Sequence, residues 1–218
     1  MANYIILDLE MCKVPGYLKT KEYRLKHEII QIGAVKLNES FEEVSRFSTF
    51  VKPHYGFVDT FIKDLTGITR ANVSVAAEIE DALKEFLNWI GEDETLCVSW
   101  SMSDKYQIKK ECEAKGIVNE RLEGFFESWI DSQQIFTDKV QTGRVWSLME
   151  ALNASGIDLE GHAHDGLMDA INTAALFKKL MTEEDFRMVE AYERVRYGES
   201  DEPLCFSIGE MLSKLQFA

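Results

Sequence analysis

The sequence predicts a three-layer α/β or α+β domain, a central mixed sheet of about five strands flanked by helices, and three observations carry that expectation. Three short, apolar, β-branched or alternating runs come first. Strand-like and helix-like segments alternate after them. Helical periodicities then exceed strand signals toward the C-terminus, a pattern that places helices over a sheet. In order, Tyr4-Ile5-Ile6-Leu7-Asp8-Leu9-Glu10 has the length and composition of a buried strand. Ile29 to Leu37 and Ser45 to Val51 continue it as a meander, turned at Asn38-Glu39-Ser40. Thr60 to Leu65 is a short helix stopped by Gly67, and Val75 to Ile90 is an amphipathic helix ended by Gly91. Thr95 to Trp100 is a fourth buried strand, followed by a helix from Ser103 to Ala114, and Trp129-Ile130-Asp131 is the fifth strand. Helices then occupy Ser147 to Ala154, Gly166 to Met181 and Glu183 to Arg196.

A chain of 218 residues, 45% hydrophobic, buries one sizeable core. We expect one domain over residues 1–181 and a helical C-terminal extension, 182–218, packed on it. No apolar run approaches the ~20 residues that span a bilayer, so no membrane partner is expected. The N-terminus carries neither a basic stretch nor a small-residue cleavage site. Cys12, Cys97, Cys112 and Cys205 have no C-x-x-C spacing, so reduced thiols and a cytoplasmic location are expected rather than zinc or disulfides.

The net charge of −14 argues against a generally basic nucleic-acid-binding surface. Much of the acid is local, in Glu78 to Glu94 and Thr182 to Glu202, which read as solvated helix faces. Tyr17-Leu18-Lys19-Thr20-Lys21-Glu22-Tyr23-Arg24-Leu25-Lys26 is basic by contrast, with interleaved tyrosines. Either it is a solvated loop, or Lys19, Lys21, Tyr23 and Lys26 meet a polyanion.

Asp8 and Glu10 are two apart on a strand, so both carboxylates point to one side. Unpaired there, they would suffer desolvation and mutual repulsion, which a divalent cation with oxygen ligands relieves. From this segment alone, a strand end emerging into solvent is the alternative. Asp104 follows the fourth strand at a helix start, where α/β folds place chemistry and where an acid also simply complements a helix dipole. Asp169 lies inside the otherwise apolar helix Leu167, Ala170, Ile171, Ala174, Phe177, and His164 precedes that helix.

Together these residues resemble the DEDDh 3′→5′ exonucleases of the ribonuclease H-like superfamily. Asp-x-Glu on the first strand matches Asp8 and Glu10, an Asp after a central strand matches Asp104, and His-x4-Asp matches His164 to Asp169. His162 does not fit, because position 167 is Leu. Within the family the chain is similar to KapD-type bacterial proteins and the Eri/histone-mRNA 3′ exonucleases. Glu28-Ile29-Ile30-Gln31-Ile32-Gly33-Ala34-Val35, Leu65-Thr66-Gly67-Ile68-Thr69 and Trp100 four residues before Asp104 carry that likeness. The chain departs from it in Met11, where Thr or Ala is common, and in the basic stretch before the second strand.

The resemblance implies a ribonuclease H-like fold and two Mg²⁺ or Mn²⁺ ions, held by Asp8, Glu10, Asp104 and Asp169, with Asp8 bridging. It implies His164 as general base, with Glu10 in the catalytic set, and single-stranded nucleic acid, RNA 3′ ends first, cut to nucleoside 5′-monophosphates. Met11 and Trp100 are the further substrate-contact candidates. Two alternatives stay open: a DNA trimming or proofreading exonuclease, and a ribonuclease H-like binding or regulatory module with vestigial activity. Oligomeric state is not legible.

Overall fold

The computed structural model describes residues 3–18 and 24–196. Its first three strands are β1 (Asn3–Lys13), β2 (His27–Leu37) and β3 (Glu43–Lys52), consecutive antiparallel partners. Asn38 makes the β2–β3 turn by accepting the main-chain N–H groups of Ser40 and Glu42 on its side-chain oxygen. Two short helices follow, α1 (Thr60–Thr66) and α2 (Arg70–Ser74), then strand β4 (Ala77–Glu78) and helix α3 (Ile79–Ile90). Next come β5 (Thr95–Ser99), α4 (Ser103–Lys115), α5 (Glu120–Glu127) and β6 (Trp129–Asp131). The described chain closes with α6 (Ser132–Val140), α7 (Leu148–Ala154), α8 (Gly166–Thr182) and α9 (Glu190–Arg196).

The sheet has six strands in the order β4-β3-β2-β1-β5-β6, with β5 parallel to β1 and β6 parallel to β5. The expected sheet of about five strands is therefore corrected to six by β4. Its two residues pair parallel with Val51 and Lys52 of β3. That pairing also shortens the helix expected over Val75–Ile90. Ala77 and Glu78 are held extended by the ladder, and the helix starts at Ile79, where its buried stripe begins. The helix expected from Glu183 shrinks to α9, because Phe186 and Met188 turn into the core and Val189 donates to the Ala154 carbonyl. Helices α2, α5 and α6 had no counterpart in the sequence reading. They are 5, 8 and 9 residues long.

One sheet face carries Ile5, Leu7 and Leu9 against Phe86, Ile108 and Phe125. The other carries Ile6, Val35 and Val98 against Ala170, Ala174 and Phe177 of α8. Each such Val, Leu, Ile or Phe side chain contributes about 1.5–3 kcal/mol when withdrawn from water. A buried ionic cluster fixes α4 to the sheet. Glu28 accepts the main-chain N–H groups of His54, Tyr55 and Gly56 and pairs with Lys115 at 2.9 Å. Lys115 also pairs with Glu111 at 2.8 Å, and Glu111 accepts the Ile29 N–H at 2.9 Å. Removing one partner would strand a buried charge, so the cluster holds as a unit. Cys12, Cys97 and Cys112 are free and buried, while Cys205 lies outside the described residues. Among the described residues no helix is long and apolar enough to cross a membrane.

Candidate metal centre

The parallel strands β1 and β5 end on the same side of the sheet, and the acids gather there. On β1, side-chain alternation sends Asp8 and Glu10 to the α8 face while Leu7 and Leu9 enter the opposite core. The β1–β2 ladder pairs Glu10 with Gln31 and then Met11 with Ile29, so Ile30 is an extra residue bulged out of β2 beside Glu10. Bulges re-aim neighbouring side chains, and this one lies at the edge of the acidic cluster.

Helix α8 reaches the cluster because two glycines let it. A Cβ on Gly33, the β2 partner of Asp8, would lie 2.1 Å from the Gly166 carbonyl carbon. The Gly166 N–H donates to the Gln31 side-chain oxygen at 3.0 Å, which fixes the first turn of α8 over β1 and β2. Asp165 caps that turn by accepting the Leu167 and Met168 N–H groups. Asp169 therefore faces Asp8 and Glu10. Asp104, in the first turn of α4, accepts the Leu9 N–H at 3.2 Å and is the acid that acts most strongly on Asp8.

His164 adopts a left-handed backbone, φ 63°, and its main-chain N–H donates to Asp169 at 2.9 Å. Donor atoms of Glu10, His164 and Asp169 lie within 4.8 Å of one another. His162, two residues away, is exposed and turns its Nδ1 to the Ala163 carbonyl at 2.7 Å. The loop before His164 is tied to α8 by Asn172, buried, whose side chain accepts the Glu160 N–H at 2.8 Å and donates to the Glu160 carbonyl at 3.0 Å.

The electrostatics are those of an unbalanced acidic cluster. Burial pushes the Asp8 carboxyl well up, and Asp104, Asp169, Glu10 and Asp165 push it further. Glu10 is raised to about 8, first by burial and then by Asp169, Asp165 and Asp104. Burial also raises Asp104 and Asp169, each partly offset by the N–H groups it accepts. Carboxylates driven toward the neutral form by burial and by one another are what a divalent cation relieves, and their oxygens suit a hard ion. The donor set fits a divalent metal, which Asp8, Glu10, Asp104 and Asp169 would hold.

The other residues singled out from sequence fall elsewhere. Trp100 is 9% exposed, packed in the core with its ring tilted against Phe136 and its indole N–H on the Trp146 carbonyl at 3.2 Å. Expected to touch substrate, it is a packing residue, because burial leaves its faces to other side chains. Met11 is partly buried at the bulge, and Lys26 is exposed. Lys19, Lys21 and Tyr23 lie outside the described residues. Gln31, Gly33, Gly166 and Asp165 were not assigned roles from sequence. Glycine at 33, in an otherwise apolar strand, was the available signal of a close backbone approach.

A ribonuclease H-like sheet with carboxylates from β1, α4 and α8 at one end defines a nuclease-type metal centre. Residues 5–177 match the exonuclease family named for RNase T, and the chain belongs to that family and carries its exonuclease domain. ERI1 exoribonuclease 2 of Homo sapiens is 30% identical over 181 residues, covering 71% of this chain and 25% of the relative. The chain thus spans about a quarter of that relative's length. DNA polymerase III PolC-type of Oceanobacillus iheyensis is 46% identical over 91 residues, 42% of this chain and 6% of the polymerase. The fold is shared with the nuclease domain of 3′hExo, a DEDDh family member bound to rAMP. The two superpose with TM-score 0.69 at 24% identity, over 86% of this chain and 96% of that one. Glu10, His164 and Asp169 here could hold a metal ion.

Proposed function

We propose that the chain is a 3′→5′ exonuclease on single-stranded nucleic acid, RNA first, releasing nucleoside 5′-monophosphates with two Mg²⁺ or Mn²⁺ ions. The convergence of Asp8, Glu10, Asp104 and Asp169 from three chain segments, with His164 at the rim, carries this reading. Bound ions supply charge neutralisation at the scissile phosphate and an acidified water. Asp8, Glu10, Asp104 and Asp169 would hold them, Asp8 being the acid on which all the others press. His164 is exposed at the edge of that set, so its ring has access to the attacking water and to bulk solvent. It takes the proton from that water as general base. The left-handed backbone and the N–H bond to Asp169 fix where the ring projects. The relatives named exoribonucleases support RNA as substrate.

The PolC-type match, higher in identity over its shorter span, favours a second reading, DNA trimming. Recognition of 2′-hydroxyls separates the two. Labelled single-stranded RNA and DNA, incubated with Mn²⁺ or EDTA, decide between them. RNA shortened from its 3′ end with Mn²⁺ alone is the expected result. Preference for DNA would move the protein to the second reading, and binding without hydrolysis of either would leave a binding module.

A further inference from the structure

A groove runs between the start of β2 and helix α4, walled by Arg24, Lys26, His27, Gln107 and Lys110, with Glu113 its acidic member. Local charge there is the reverse of the chain's, which has 38 acidic against 24 Lys and Arg residues. Two separate measures tie the groove to the metal centre. Along α4, Lys110 is six residues past Asp104, about 9 Å of helix. Along the sheet, His27 pairs with Lys13, three residues past Glu10, about 10 Å of strand. The two walls are tied to each other. Gln107 donates to the His27 carbonyl at 3.0 Å and to Glu111 at 3.0 Å, and Glu111 belongs to the buried cluster with Glu28 and Lys115.

We infer that this groove holds the phosphodiester backbone of the nucleic-acid strand upstream of its 3′-terminal nucleotide, an inference that rests on the nuclease reading above. A strand whose 3′ end lies among five acids meets repulsion on that side, and its next phosphates need a cationic path within about a nanometre. The groove is that path. Lys26 was suspected from its sequence neighbourhood. Arg24 belongs to the same basic stretch, and His27 and Lys110 join it only because α4 is clamped beside β2. The preformed walls give the groove a length preference: strands too short to enter it lose its contribution.

The test compares Lys110→Glu and Arg24→Glu with wild type on two probes. One is the p-nitrophenyl ester of thymidine 5′-monophosphate, which occupies only the metal centre; the other is a series of single-stranded oligonucleotides of increasing length. With Mn²⁺ at several salt concentrations, each variant is expected to lose about tenfold or more in kcat/KM on long oligonucleotides relative to the ester. Its log–log salt slope should become shallower by about 0.7 for each phosphate that no longer meets a cation. Wild-type dependence on length and salt in both variants overturns the groove, as does an equal loss on ester and oligonucleotide. If wild type hydrolyses neither probe, the nuclease reading fails by itself. Anisotropy of a fluorescent oligonucleotide with each protein then decides the groove: weaker, less salt-sensitive binding by Lys110→Glu supports it, and unchanged binding overturns it. Lys110→Gln, a milder change, repeats the measurement should the reversals lower the melting temperature.

Discussion

The main-chain N–H of His164 donates to Oδ2 of Asp169 at 2.9 Å, so the residue that carries the imidazole is fastened to a carboxylate of the metal centre. The bond spans five residues, and His164 makes it from a left-handed conformation, costly for a residue with a Cβ. Loop and helix therefore move together, and ring position is coupled to ligand position.

That coupling makes the two histidines distinguishable. His164→Ala should lower kcat at saturating metal by about 10²–10⁴-fold and flatten the rise of log kcat with pH. His162→Ala, whose ring turns to a carbonyl, should stay near wild type. Metal affinity should change little in either, since the carboxylates remain. Damage confined to His162→Ala would mean the register of the loop is wrong.

Stability without metal should depend on pH in a direction the carboxylates dictate. Glu10 has its native pKa raised to about 8, above the ~4.3 of an unfolded glutamate. The native state therefore holds a proton that the unfolded chain has released, and stability falls as pH rises through that window. In EDTA the melting temperature should drop between about pH 5 and pH 8, by about 2–4 °C for each kcal/mol lost. Glu10→Gln should flatten the slope. A wild-type melting temperature that climbs over the same interval would contradict the assigned repulsion.

Asp8 is raised by four neighbouring acids, so its removal relieves the metal-free protein. Asp8→Ala should abolish metal-stimulated hydrolysis while melting at or above the wild-type temperature in EDTA. Calorimetry with Mn²⁺ should raise the melting temperature of wild type more than that of the variant. Equal shifts would remove Asp8 from the ligand set.

Gly33→Ala tests the docking of α8. The added Cβ would meet main-chain atoms of Gly166 and Leu167 at 2.1–2.3 Å, and backbone cannot rotate away as a side chain can. Destabilisation of about 1–3 kcal/mol or more is expected in urea titrations, together with a loss of activity as Asp169 and His164 shift from β1. A variant with wild-type stability and rate would show that α8 does not seat there.

What the sequence determined by itself is whatever backbone geometry fixes over a few residues. Period-two alternation put Asp8 and Glu10 on one face, and the apolar run around them said that face was buried. The stripe Ile79, Ala82, Leu83, Phe86, Leu87 and Ile90 was legible because helical spacing repeats. The order of Asp-x-Glu, Asp and His-x4-Asp carried the family, since each spacing survives any arrangement of the rest. Tertiary structure decided what depends on distant partners. Ala77 and Glu78 became a strand because β3 offered them a ladder. Trp100, equally suited to stacking on a base or filling a core, went to the core because Phe136 and Trp146 enclose it. Gln31, Gly33 and Gly166 bring Asp169 to Asp8 and Glu10 through a contact 135 residues apart in the chain, and the basic groove exists only where α4 is held against β2. Local spacing records which way a side chain points; only the packed sheet and helices record what it points at.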